Sequence, residues 1–211
     1  MNAGYTSMLI LICLLILIAT GWRPYLSQQA GGRSLIFLWI TTTLLFYMPL
    51  WWRPSSAYSA FELHIGICIV LLASIASIWK SKSTNNRVYL MVCSALIAIL
   101  WGGIHSLYAH DPLFFHLDAS WGGPVLCGIL CCSFASDLHQ QFSVIALGAI
   151  MGEFLSAWLD AGSFTMRIGG LFWWDSVWAA VAAALLMTLL QRFGKRMFLK
   201  IGRASLKYRK N

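Results

Sequence analysis

The stretch that decides the fold is the last one: LFWWDSVWAAVAAALLMTLL over residues 171–190, then QRFGKRMFLKIGRASLKYRKN over 191–211. The first part carries a single charge, Asp175. About 20 mostly apolar residues are what an α-helix needs to cross the ~30 Å hydrocarbon core of a bilayer. The second part holds eight Lys and Arg and no acid. Short cytoplasmic segments are the ones that keep Lys and Arg. The pair of segments therefore predicts a membrane helix that ends on the inside.

Working outward, six more runs have the same character: residues 4–22, 34–52, 59–79, 88–108, 120–136 and 142–159. Each is too long and too uniformly apolar for a barrel strand, which has about 10 residues alternating in polarity. In lipid the backbone must satisfy its own hydrogen bonds within such a segment, which a helix does. The expected fold is all-α, a bundle of seven transmembrane helices over 1–190 with a tail over 191–211. Composition agrees. Of 211 residues, 59% are hydrophobic and 10% charged, with mean hydropathy +0.72. A soluble domain carries about 25% charged residues, and a disordered chain needs low hydrophobicity and high charge. Both classes are excluded.

Orientation comes from the loops. With the C-terminus inside, thirteen of the fifteen Lys and Arg fall on inner segments, and only Arg53 and Arg167 fall outside. This predicts N-out, C-in. The net charge of +8 is then a topology signal and an affinity for anionic lipid headgroups, not a nucleic-acid surface. Phe193, Met197, Ile201, Ala204 and Tyr208 recur at helical spacing among the tail cations. Such a basic amphipathic segment is suited to lie on the inner leaflet. Trp22, Trp51, Trp52, Trp79, Trp121, Trp158, Trp173 and Trp174 lie near span ends, where the amphipathic indole prefers the interface.

The same topology gathers six of seven acids and four of five histidines toward the outer leaflet. An ionisable group inside a bilayer costs about 2.5–3.5 kcal/mol on insertion scales and usually faces a polar interior. Glu62, His64, His105, Glu153 and Asp175 are the candidates for one outward-facing polar pocket. The loop after the fourth span offers His105, His110 and His116 as metal ligands, with Asp111 and Asp118. It has no HExxH motif and no helical i, i+4 histidine pair, so no bound metal is expected. Nor is there a GxSxG elbow, and catalysis and cofactors are not expected. The six cysteines, Cys13, Cys68, Cys93, Cys127, Cys131 and Cys132, all lie in apolar runs and read as packing residues. Gly122-Gly123-Pro124 is expected to break or loosen the start of the fifth span. Gly148, Gly152 and Ser156 form a small-residue stripe that admits a neighbouring helix closely.

Three stretches together resemble a known family. They are NAGYTSMLILICLLILIATGW with Arg23 after it, the small-residue run through Gly152-Glu153, and Phe172-Trp173-Trp174-Asp175-Ser176. They are similar to the YphA-type small membrane proteins. The resemblance implies a multi-pass protein of a bacterial plasma membrane with no assigned biochemical activity, and it carries over no functional residue. The functional expectation is a non-catalytic accessory or envelope-associated factor, with the lipid bilayer and a membrane-protein partner as its contacts. Two alternatives are a small transporter or channel-like protein using the outer carboxylates, and a membrane enzyme using the His/Asp loop.

Overall fold

A computed structural model describes residues 2–22, 40–41, 43, 51–52, 60–80, 83–110, 119–135, 137–159 and 165–208. Within them are six helices of fifteen residues or more: α1 (Tyr5–Ala19), α2 (Ile65–Trp79), α3 (Thr84–His110), α4 (Ala119–Phe134), α5 (Leu138–Leu159) and α6 (Leu171–Tyr208). Three short strands accompany them: β1 (Trp51–Trp52), β2 (Ala60–His64) and β3 (Thr165–Ile168). Among the described residues, three segments are long and apolar enough to cross a membrane, Thr84–Tyr108, Leu138–Leu159 and Leu171–Gly194. Tyr5–Ala19, Ile65–Trp79 and Trp121–Phe134 are apolar but shorter. A 15-residue helix is only about 22 Å long. Most of the run expected over 34–52 lies outside the described residues.

The middle of the bundle is α5. Every residue from 141 to 150 is buried, as expected for a helix that is apolar all round. Helices α2, α3, α4 and α6 surround it, and the α3–α5 contact is the most extensive among the described residues. Aspartate is a favoured N-cap residue, and Asp137 directly precedes α5 with its carbonyl accepting the Gln141 N–H at 2.9 Å. The outer faces keep apolar side chains such as Leu72, Ile99 and Leu186 exposed, a surface suited to lipid rather than water.

Small residues set the helix spacings. A Cβ on Gly152 would stand 2.8 Å from Trp101 Cβ and 3.0 Å from the Ala98 carbonyl oxygen. One on Gly102 would stand 2.6 Å from the Gly152 carbonyl oxygen, and one on Gly148 2.5 Å from Ile97 Cγ2. Helices α3 and α5 thus approach backbone to backbone, as small-residue stripes allow. Gly128 does the same for α4 on α6, lying against the Ala180 carbonyl. Helix α1 packs on α6 through Ser7, Leu11, Leu14 and Ile18, its buried stripe. It stops where Gly21, at φ 87°, takes the left-handed conformation. The Trp22 N–H then reaches back to the Leu17 carbonyl at 3.1 Å, closing the helix end.

The structure departs from the sequence reading in three places. First, Ala60–His64 is a strand, so the third apolar run becomes helical only at Ile65. Strand β2 pairs antiparallel with β1 (Trp51↔His64, Trp52↔Leu63) and parallel with β3 (Ala60↔Thr165, Phe61↔Met166, Glu62↔Arg167, Leu63↔Ile168). Trp51 and Trp52 are therefore strand residues, not the end of a helix. The register sets Glu62 opposite Arg167. Second, α4 begins at Ala119 and runs through Gly122-Gly123-Pro124. Its two glycines lie against α3, with their Cβ positions 3.0 Å from Tyr108 Oη and 2.9 Å from Ile104 Cγ2. A neighbouring helix can hold such a segment helical despite its missing donor. Third, α6 passes residue 190 without a break and ends at Tyr208. The last apolar run and most of the basic tail are one rod of 38 residues, about 57 Å long.

Candidate functional site

The polar side chains that the sequence singles out sit at three places: the start of α1, the α3–α5 seam and the small sheet.

Asp175 lies in the second turn of α6 and is buried. Helix α1 begins after Gly4, which has φ 87° and no side chain to cap the first turn. Asp175 supplies the missing acceptor from across the bundle. Its Oδ2 accepts the Gly4 N–H at 2.7 Å. Its Oδ1 accepts the Ser7 N–H at 2.7 Å and the Ser7 hydroxyl at 2.6 Å. The first N–H groups of a helix have no internal partner, and a helix N-terminus carries a partial positive charge of roughly half a unit. A carboxylate that caps it satisfies both sides at once. Asp175 is thus the polar clasp between α1 and α6, and both its oxygens are occupied.

Glu153 is half-buried on α5, next to the tight contact at Gly152. Its Oε1 accepts the indole N–H of Trp101 on α3 at 3.1 Å, and Trp101 itself is buried. An indole nitrogen is a donor only, so this bond gives a buried donor its acceptor across the seam. His105, one turn further along α3, is exposed. Gly148 and Gly152 face α3, and the Ser156 backbone lies 3.2 Å from the Cβ position of Gly102.

His64 closes β2 and is the N-cap of α2, where its Nδ1 accepts the Gly66 N–H at 3.2 Å. Its ring is 5.2 Å from that of Trp51, edge to face. Glu62, two residues earlier, is half-buried on the same strand. The structure places Glu62 and His64 on the sheet, His105 and Glu153 on the two helices of the seam, and Asp175 at the clasp.

His110 ends α3, while Asp111, His116 and Asp118 lie outside the described residues. Among the described residues, no group of three or more His, Cys, Asp or Glu is arranged to hold a metal ion. Cys13 and Cys68 are exposed, whereas Cys93, Cys127, Cys131 and Cys132 are buried; all are free thiols.

One buried polar network escaped the sequence reading. Gln141 of α5 donates through Nε2 to the Ala135 carbonyl at 2.8 Å and to Thr188 Oγ1 of α6 at 2.6 Å. Thr188 passes its own proton to the Ala184 carbonyl at 2.8 Å. Gln141 is fully buried. The network ties the start of α5 to α6 and takes up the carbonyl left at the end of α4. The available signal was a glutamine just inside an apolar run, three residues after the Asp137-Leu138 helix start.

No curated protein and no solved structure matches the chain. The family model described as YphA-like integral membrane protein matches residues 54–210. That match takes in the sheet from β2 onward, the α3–α5 seam and the whole of α6, and by it the chain belongs to the YphA-like integral membrane proteins.

Proposed function

We propose that this integral membrane protein is a non-catalytic accessory or envelope-associated factor that acts through a membrane-protein partner. The observation that carries the reading is the use of Asp175. This acid, the single charge of the last apolar run, is occupied by α1 at both oxygens. Glu153 likewise serves a neighbouring helix. Side chains that would bind a substrate are here fastening helices to one another.

The full arrangement we propose is seven membrane helices, N-out and C-in, in a bacterial plasma membrane. The cations from Arg192 onward contact anionic headgroups on the inner side, each contributing about 1 kcal/mol near the surface. Tags at both ends, probed by protease in sealed vesicles, test the orientation. Two ends reporting from one side overturn it.

The functional test is in-membrane crosslinking followed by purification of the full-length chain. The expected result is a membrane protein recovered in constant proportion, and still recovered with Glu153→Gln. A purified chain that moves protons or cations across vesicle membranes, and stops doing so with Glu153→Gln, would replace this reading with the transporter one. That alternative has one specific support: a second carboxyl oxygen on Glu153, at a half-buried position beside the seam.

A further inference from the structure

We propose that the face of α6 carrying Trp173, Trp174 and Trp178 is a binding site for a neutral, carbonyl-bearing amphiphile of the bilayer. The inference goes beyond the accessory reading above and does not depend on it.

An indole nitrogen donates a hydrogen bond and accepts none, and buried donors are nearly always paired. Trp101 follows that rule, since its N–H reaches Glu153. The three tryptophans of α6 do not. Trp173, Trp174 and Trp178 are 6%, 1% and 1% exposed, and none of their indole N–H groups meets an acceptor in the protein. A buried donor without a partner loses its hydration for nothing. Three of them within six residues of one helix call for something that accepts.

Positions 173, 174, 177 and 178 fall on one helical face, and Val177 between the tryptophans is buried as well. The rings are fixed by their neighbours. Trp173 stands edge-on to Trp174 at 5.1 Å between centroids, and Trp178 meets Phe142 of α5 at 5.7 Å. At the head of the face, the Gly170 carbonyl accepts the backbone N–H of Trp174 at 3.1 Å. A Cβ on Gly170 would meet nothing within 4 Å. The face is thus aromatic along its length and has open space at its Gly170 end.

The donors decide what fits. The occupant must accept hydrogen bonds. The nearest acid, Asp175, has its oxygens turned to Gly4 and Ser7 of α1. The occupant must also be neutral, because an anion would give up its hydration against rings that carry no charge. A water that accepted two of these N–H groups would still have its own protons to place, and it needs several polar partners to be held. A carbonyl oxygen accepts two N–H groups on its lone pairs and strands no proton. Two carbonyls on one apolar body suit three indole donors set among aromatic rings. The bilayer supplies such a body from two sources, the ester pair of a phospholipid and the ring of a quinone.

Ultraviolet resonance Raman spectra of the full-length protein in nanodiscs test this, because an indole ring vibration shifts when its N–H is hydrogen-bonded. Three preparations separate the sources: ester-linked phosphatidylcholine, ether-linked phosphatidylcholine, and the ether lipid with a short-chain isoprenoid benzoquinone added. Trp174→Phe and Trp178→Phe keep an aromatic ring and remove the donor, so difference spectra against the wild type isolate these indoles. The expected result is a hydrogen-bonded signal in the ester lipid or in the quinone preparation, and none in the plain ether lipid. A signal in the ester lipid identifies the phospholipid, and a signal only with quinone identifies the quinone. The amount of that molecule retained after gentle extraction, read by mass spectrometry, should fall roughly two- to tenfold for each N–H removed. Indoles without a hydrogen bond in all three preparations overturn the proposal. Indoles bonded equally in all three also overturn it, because the acceptor is then water or protein. Trp173→Phe takes the place of either variant if that one does not accumulate.

Discussion

Helices α5 and α1 are joined to the bundle in opposite ways. Helix α5 is buried all round over residues 141–150 and meets α3 through glycines at Cβ-forbidding distances. Helix α1 meets α6 along one apolar stripe and is oriented by one carboxylate at its end. In a bilayer, lipid tails compete equally for apolar surface, so helices associate through close packing and hydrogen bonds. The seam uses the first of these and the clasp the second. A seam fails when it is filled, and a clasp fails when its acceptor is removed.

The largest effect expected is at the glycines. Gly128→Val puts a branched side chain onto the Ala180 backbone, which cannot move aside without shifting α6. Overpacking of a tight core costs roughly 1–3 kcal/mol and more where backbone is struck. We expect Gly128→Val and Gly152→Val to lower the unfolding midpoint in detergent sharply and to reduce accumulation in membranes. A mild effect at Gly152 would show that the α3–α5 seam opens easily, and would weaken the contrast with α1.

Next comes the clasp. Asp175→Ala leaves two N–H groups and a hydroxyl without their acceptor, and loss of a capping residue alone costs about 0.5–2 kcal/mol. We expect a total of roughly 2–4 kcal/mol, with unsatisfied buried donors included. The damage should be confined to α1: faster proteolysis near residues 2–22 while the α3–α5 unit keeps its stability. Global unfolding at the same midpoint as the glycine variants would break the comparison, because α1 would then be as integral as α5.

A smaller effect is expected in the buried network. Thr188→Val removes the acceptor of one Gln141 donor bond and should cost about 1 kcal/mol. Gln141→Leu combined with Thr188→Val should cost less than the sum of the two single changes, since no polar atom of the pair is then left stranded. A double-mutant cycle in denaturant measures this coupling. The smallest effect belongs to Glu153→Gln. The Trp101 indole can donate to an amide carbonyl as it does to a carboxyl oxygen. A stability change within about 0.5 kcal/mol is expected.

These contrasts also mark what the sequence made legible. The long apolar helices could be read because about 20 residues without charge have few other uses. The Gly148–Gly152 stripe could be read because small residues four apart fall on one helix face. The sheet could not. Ala60–His64 is apolar enough to look like the start of the helix that follows, and its partners lie at residues 51–52 and 165–168. Pairing partners more than a hundred residues away leave no local periodicity. Asp175 was visible as an acid in an apolar run, but its role depends on donors 171 and 168 positions earlier. Sequence shows only one end of such a contact. The continuity of α6 was hidden for a different reason. The change from Leu-rich to Lys-rich composition near residue 190 marks a change of surroundings, and the backbone passes through it unaltered.

That continuity has a mechanical side. Asp175 and the cations from Arg192 to Lys207 ride on a single stiff lever. With about 57 Å of helix, a pivot of ~5° at the aspartate end sweeps the opposite tip sideways by ~5 Å. Whatever grips or frees the first helix is thereby geared to the placement of positive charge at the far end of the same rod.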